Sequence, residues 1–213
     1  MKLKVAIGAA LTSLVLATTS HAASLSIVGG SAGVLPVESL TVEGYDPTPA
    51  VPGVSAGDAI TTFTGAELAG GFGLMMDVAA SLKYTFLGKE ANAENLAVAL
   101  SNGMTLSNKD AAGTSISAPD DGGIVDFYFQ TTFKLSGASY TITNGVGSTL
   151  DKLRIAFIQE DSKNVLAFFG DGRQDLDYDD MVIRISIVPL PAGGLLMLSA
   201  LGGFAALRRR KKA

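Results

Sequence analysis

Cysteine and tryptophan are absent from the 213 residues, and histidine occurs once. That histidine, His21, falls in an N-terminal segment that reads below as a removable leader. Without it no Ser-His-Asp or Cys-His nucleophile can be assembled, because each needs an imidazole base beside the attacking atom. Zinc held by His and Cys ligands is excluded for the same reason. No disulfide can brace the fold, although the two ends of the chain point to a compartment that permits disulfides. The chain must hold together by packing, with or without a metal ion. The lack of tryptophan also removes a favoured surface for stacking on a sugar ring.

Basic charge is scarce in the body of the chain. All 20 acidic residues fall between residues 23 and 187, whereas two of the 16 Lys and Arg residues precede that region and five follow it. Nine basic against 20 acidic residues leave this region at −11, although the whole chain sums to only −4. Such a surface repels phosphate backbones, which argues against DNA or RNA as a partner. It suits solubility and cation binding outside the cell. A region of about 165 residues is enough for one domain with a real core, burying roughly 70% of the unfolded chain's surface.

The ends read as address segments. Lys2 and Lys4 precede an apolar stretch over residues 5–18, and the tripeptide Ser20, His21, Ala22 then carries small residues where a signal peptidase reads. Cleavage is expected after Ala22, which makes residues 1–22 a signal peptide. At the other end Val188, Pro189, Leu190, Pro191 and Ala192 spell VPLPA, residues 192–207 carry no charge, and Arg208, Arg209, Arg210, Lys211 and Lys212 follow. The uncharged run is short against the roughly 20 residues of a bilayer span, and reaches that length only when counted from Val188. Gly193, Gly194, Gly202 and Gly203 would weaken a soluble helix but are tolerated in lipid. The run has no polar face, so it does not read as an amphipathic core helix. The basic cluster holds the far end on the cytoplasmic side.

This order of motif, apolar run and basic cluster over residues 188–213 resembles the VPLPA variant of the PEP-CTERM class of bacterial sorting domains. The resemblance implies that Val188, Pro189, Leu190, Pro191 and Ala192 form a recognition element for an exosortase, a membrane protease-transpeptidase. In that family the enzyme cuts near the motif and releases or re-anchors the protein at the cell surface, often in bacteria that form exopolysaccharide. A plain tail anchor is the alternative.

Between the ends, short alternating stretches separated by Gly, Ser, Asp and Pro predict a mainly β domain over residues 23–187. The expected architecture is an antiparallel β-sandwich or jelly roll, flanked by an N-terminal signal helix and a C-terminal transmembrane helix. Strands are expected at residues 25–28 and 39–42, before a loop marked by Pro47, Pro49 and Pro52. A strand at 81–88 would put Leu82, Tyr84 and Phe86 on one face, and 124–135 is rich in β-branched and aromatic residues. Residues 91–100 fit a short helix by propensity and a strand or loop by their neighbours, and 103–123 reads as loop. Residues 153–159 and 164–169 flank Glu160, Asp161, Ser162 and Lys163 as a hairpin. Residues 181–187 alternate Met181, Ile183, Ile185 and Ile187 against Val182, Arg184 and Ser186, a half-buried strand.

The one concentrated chemical feature is acidic. Asp171, Asp175, Asp177, Asp179 and Asp180 lie within ten residues. In an extended segment Asp175, Asp177 and Asp179 share a face about 7 Å apart. Like charges at about 4–7 Å repel by roughly 2–4 kcal/mol per pair at an effective dielectric near 20. Arg173, Arg184, solvent or a divalent cation can offset that, and Ca2+ fits best because it takes six to eight hard oxygen ligands in flexible geometry. The residue order is not that of an EF-hand loop. Residues 167–187 resemble the closing segment of DUF4114-like domains, in which an acidic residue after an aromatic strand precedes a D-x-D-[YF]-[ND]-D pattern and a last strand. The resemblance implies a calcium-binding loop and no catalytic role. Only Asp171 stands where that family often has a Glu-Asp pair. The alternative is a solvated turn whose aspartates cap backbone groups. Asp120 and Asp121 with Asp126 form a second acidic patch, read as a turn rather than a ligand set.

The expectation is therefore an exported, non-enzymatic cell-surface or extracellular-matrix protein, with Ca2+ as candidate cofactor. Signal peptidase and an exosortase-like membrane protease are its processing partners, extracellular polysaccharide is a candidate associate, and residues 192–207 lie in the membrane before processing. Two alternatives remain: a glycoside hydrolase or lyase working with two carboxylates, and a carbohydrate-binding module built on exposed rings among Tyr84, Tyr128, Tyr140 and Tyr178. Mass spectrometry of surface-located protein from the native host is expected to find a mature C-terminus near residues 188–192. An intact basic cluster at 208–212 would show instead that the tail stays as an anchor.

Overall fold

The computed structural model describes residues 22–36, 54–89, 94–172 and 178–189. The signal helix, the strand expected at 39–42 with its proline loop, and the tail helix lie outside the described residues. In chain order the described elements are β1 (Leu25–Val28), β2 (Ser31–Val34), β3 (Ala59–Thr64), α1 (Gly65–Ala69), β4 (Gly73–Met76) and β5 (Ala80–Gly88). Next come β6 (Glu94–Ala99), β7 (Thr105–Ser107), β8 (Ser115–Asp120), β9 (Gly123–Ile124) and β10 (Phe127–Thr132). The last are β11 (Ser139–Thr143), β12 (Gly147–Ser148), β13 (Arg154–Gln159), β14 (Asn164–Gly170) and β15 (Met181–Val188). The architecture is mainly β, antiparallel, with almost no helix and no closed barrel. Among the described residues no helix is long and apolar enough to cross a membrane.

Three sheets form. A seven-stranded sheet runs β2-β3-β13-β14-β15-β5-β8, a five-stranded sheet runs β12-β11-β10-β6-β7, and a three-stranded sheet runs β1-β4-β9. The stretch NVLAFFG of β14 lacks polar alternation, and accordingly it sits mid-sheet with both faces covered. Val165, Ala167 and Phe169 enter the main core, while Leu166 and Phe168 enter a smaller cluster on the opposite face with Leu35, Ile60, Ala156 and Val182. Val182 is therefore buried, not on a solvent side as the alternation of β15 suggested. The half-buried reading holds at Arg184, whose guanidinium makes two 2.7 Å bonds to Glu160.

The hairpin expected at 153–169 is present as β13 and β14. Asp161 closes its turn by accepting from Lys163 N at 2.6 Å and from Asn164 Nδ2 at 2.9 and 3.0 Å. Residues 94–99 are a strand, paired with β10 on one side and β7 on the other. Pairing on two sides decides a segment whose local propensity leaned to helix. Residues 103–123 are not simply loop, since they contain β7, β8 and part of β9. β8 alternates Ile116, Ala118 and Asp120 inward, and its Pro119 is tolerated because β8 is an edge strand.

The main core lies between the five-stranded and seven-stranded sheets. Phe129 of β10 stacks on Phe169 of β14 at 5.0 Å between centroids and 11° between planes. Phe127 meets Phe157 of β13 edge-on at 6.3 Å and Tyr84 of β5 at 6.2 Å. The three-stranded sheet is fastened by Asn144, which is buried just after β11. Its Oδ1 accepts from Leu74 N at 2.9 Å, and its Nδ2 donates to Leu74 O at 2.8 Å and Val125 O at 2.9 Å. Gly73 makes room for this bond. Its φ is +135°, and a Cβ there would stand 2.1 Å from Asn144 Oδ1. Asn144→Ala strands the buried Leu74 N and takes one of two donors from Leu74 O and from Val125 O, which keep Val125 N and Phe127 N, and is expected to cost about 2 kcal/mol in urea unfolding. Asn102→Ala, which removes an exposed bond to Ser117 O and another from Met104 N, is expected to cost about 1 kcal/mol or less, because water replaces both partners.

Candidate functional site

Aromatic packing positions the acidic loop. Phe157 pairs with Ala167 across the β13–β14 ladder. Phe127 faces Phe157, and two residues further along each strand Phe129 faces Phe169. The inward residues of β10 and β14 thus advance in step across the core. Because strand side chains repeat every second residue, the next inward positions are Thr131 on β10 and Asp171 just beyond β14. Thr131 is fully buried and Asp171 is 4% exposed. Asn95 of β6 stands directly opposite Thr131 in the ladder, on the same inward face. Leu106 of β7 is inward as well, and the chain continues from β7 to Asn108, which is also buried.

At this end the core therefore turns from phenylalanine to polar side chains. Asn95, Asn108 and Thr131 come from the five-stranded sheet. Asp171, Asp179 and Asp180 come from the segment joining β14 to β15, with Asp179 fully buried and Asp180 at 7% exposure. Asn95 ties the two groups together. Its Nδ2 donates to Asp180 O at 3.2 Å, and its backbone N donates to Asn108 Oδ1 at 3.2 Å. Asp180 Oδ2 accepts from Asp171 N, so the two ends of the acidic segment are clasped together.

Among the described residues two buried oxygens in this cluster, Asn95 Oδ1 and Thr131 Oγ1, have no hydrogen-bond partner. The bond from Nδ2 to Asp180 O fixes which way the Asn95 amide points, because the flipped amide would set oxygen against oxygen. Amide, hydroxyl and carboxylate oxygens are the hard donors that Ca2+ takes. Among the described residues no three His, Cys, Asp or Glu side chains converge closely enough to hold a metal ion. A cation here would need neutral oxygens as well as carboxylates.

Of the five aspartates expected to bind metal, Asp171, Asp179 and Asp180 are brought to this buried end, while Asp175 and Asp177 lie outside the described residues. In the sorting motif Val188 ends β15 and Pro189 follows it, whereas Leu190, Pro191 and Ala192 lie outside the described residues. Asn95, Asn108 and Thr131 escaped the sequence reading. Their signal was a polar residue at an inward position, as Thr131 after Phe127 and Phe129.

The other candidates are dispersed. Asp120 acts in a turn, accepting from Gly122 N and Asp126 N at 3.0 Å each. The tyrosines form no common platform. Tyr84 is in the core, Tyr140 tilts against Phe133 at 5.3 Å, Tyr128 is on the opposite face of the five-stranded sheet, and Tyr178 packs on the outer cluster of the seven-stranded sheet. A hollow between α1 and β12 is lined by Thr64, Gly65, Ala69 and Ser148, with Asp151 its one carboxylate among the described residues.

No family model, curated protein or solved structure matches the chain.

Asp126 holds its proton above the ordinary carboxylate range, first because of burial and then because Asp120 and Asp121 are negative. A carboxylate raised in the folded state destabilises the fold once it ionises, and the penalty vanishes below its unfolded value. Asp126→Asn is therefore expected to raise Tm at pH 7 and to leave it unchanged near pH 3, which thermal melts at the two pH values check.

Proposed function

We propose that the chain is an exported, non-enzymatic protein of the cell surface or extracellular matrix. Its domain over residues 23–187 is an antiparallel β-sandwich of the jelly-roll kind, and the segment 171–180 binds Ca2+. The observation that carries the cation reading is the burial of Asp171, Asp179 and Asp180 beside the oxygen-bearing side chains of Asn95 and Thr131. Ionised carboxylates removed from water need a counter-charge or dense hydrogen bonding. These three side chains already have partners within the protein, and a dication shared among them would add counter-charge to that bonding; Asp175 and Asp177 belong to the same acidic stretch of the sequence.

Export and processing rest on the sequence. A leader ending at Ala22 calls for signal peptidase, and VPLPA at residues 188–192 calls for an exosortase-like membrane protease. Residues 192–207 sit in the membrane until that cut. Association with extracellular polysaccharide follows from the sorting-domain resemblance and the acidity of residues 23–187. The non-enzymatic reading is supported by the loss of the only histidine with the leader. A carbohydrate-binding module would want coplanar exposed rings, and the dispersal of Tyr84, Tyr128, Tyr140 and Tyr178 favours the surface-protein reading over it.

Calorimetric titration of the mature protein with Ca2+ tests the cation reading. Binding is expected in the range of about 10⁻⁴–10⁻³ M that extracellular calcium modules show. At a free Ca2+ concentration about 100-fold above Kd the fold should gain about 2.7 kcal/mol, seen as a rise of several degrees in Tm. No heat and no thermal shift at millimolar Ca2+ would sink it.

A further inference from the structure

We propose that the domain stands end-on at the bilayer while its tail is in place, with the turn at residues 160–163 toward the lipid and the acidic segment 171–180 pointing away from it. This rests on the reading of residues 1–22 and 192–207 given above and goes further, because it assigns one end of the domain to the membrane and the other to the exterior.

The two address segments leave the fold at the same place. Leu25 N donates to Ser162 O at 2.7 Å and Gln159 Nε2 donates to Leu25 O at 3.2 Å, so β1 begins against the turn between β13 and β14. Ile187 N donates to Lys163 O at 2.9 Å, so β15 ends against the same turn. Just before β1, Ser24 is held by Asp77, whose Oδ1 accepts from its N at 2.7 Å and whose Oδ2 accepts from its hydroxyl at 2.8 Å. Val188 pairs with Ser81 near the start of β5. The chain is thus tied down from the second residue after the expected cut at Ala22 to the first residue of VPLPA. Strand direction then identifies the opposite end. β14 runs from Asn164 beside the turn to Gly170, and β10 advances in step with it from Phe127 to Thr132. The acidic segment and the β10–β11 turn that holds Leu135 therefore lie at the far end.

The link to lipid is short. Four residue steps join Val188 to Ala192, where the uncharged run read as membrane-embedded begins, and they reach about 14 Å at most. Pro189 and Pro191 occupy two of those positions. Each proline fixes its own φ and disfavours a helical turn at the residue before it, which favours a link that continues the line of β15 over one that folds back. Until the leader is cut, Ser24 is six steps from Thr18, about 21 Å at most, and this second tether at the same end opposes tipping. The seven residues of β14 carry the chain away from the turn by about 23 Å, so segment 171–180 faces the exterior. The charges at the membrane end fit a tether rather than adhesion. Asp77, Asp120, Asp121 and Asp161 stand there with Lys163, and carboxylates are repelled by an anionic lipid surface. Contact is kept by the chain and is lost when the chain is cut.

Energy transfer to a labelled bilayer tests the orientation. The chain has no cysteine, so one introduced thiol takes one fluorophore. Ser162 and Leu135 are both exposed and lie at opposite ends of the domain. The full chain carrying Ser162→Cys or Leu135→Cys is reconstituted in phosphatidylcholine vesicles that contain a headgroup acceptor lipid, and is labelled from outside with an impermeant maleimide. With about 23 Å between the ends, transfer is expected to be at least about threefold stronger from position 162 than from position 135. Asp121→Cys, at a second exposed position of the membrane end, should match Ser162→Cys, and it keeps the test open if the first substitution disturbs the turn. Equal transfer from the two ends, or stronger transfer from position 135, means that the domain lies on its side or swings on its link, and overturns this inference alone. A chain that the vesicles do not retain overturns the tail reading and this inference with it.

Discussion

Phe129 lies flat against Phe169, and through that contact the five-stranded sheet is set in register with the seven-stranded one. A sheet fixes the spacing of its own strands by backbone hydrogen bonds, but nothing in those bonds decides how one sheet sits over another. Interdigitating side chains must do that, and large planar rings do it with little freedom. Phe127 against Phe157 gives the second point of reference. With two points fixed, the positions beyond them follow from the period-two geometry of strands, and Thr131 comes to the buried end of the core beside Asn95, whose Nδ2 reaches Asp180 O.

The remainder of the molecule is organised around the faces of these sheets. The central strands of the seven-stranded sheet are covered twice, by the main core and by the cluster around Leu35, Ile60, Leu166, Phe168 and Val182. The three-stranded sheet depends on different physics. Its strands are short, and Asn144 holds it by accepting from Leu74 N and adding a second donor to Leu74 O and to Val125 O. A second small device, the capping box at α1, links Thr64 and Glu67, and Ser31 of β2 donates to the same carboxylate at 2.7 Å. These bonds hold the Glu67 carboxyl below its usual range, led by the backbone bond from Thr64.

Much of the fold was legible where alternation was strong. β5 and β15 follow the alternation around Tyr84 and Ile185, and the β13–β14 hairpin was marked instead by two apolar runs on either side of Glu160, Asp161, Ser162 and Lys163. β6 and β8 were less legible because Asn95, Ala97 and Ala118 are small or polar and carry little periodic signal. β4, β11 and β12, like α1, drew no expectation at all. The acidic segment stood out at once by its charge, but its partners did not. Asn95 and Thr131 lie far from it in the chain, and an isolated Asn or Thr in a strand carries no local mark of burial.

Residue order by itself determined the charge of the body, the missing nucleophile chemistry, the address segments and the β character, because composition and period-two alternation are local properties of a chain. Only the tertiary structure decided which face of β14 meets which sheet, that Val182 is buried, and that Asn95, Thr131 and Asp171 share one end of the core. Those outcomes depend on the stacking of rings some forty residues apart, and the geometry of such a contact comes into being only when the sheets close on each other.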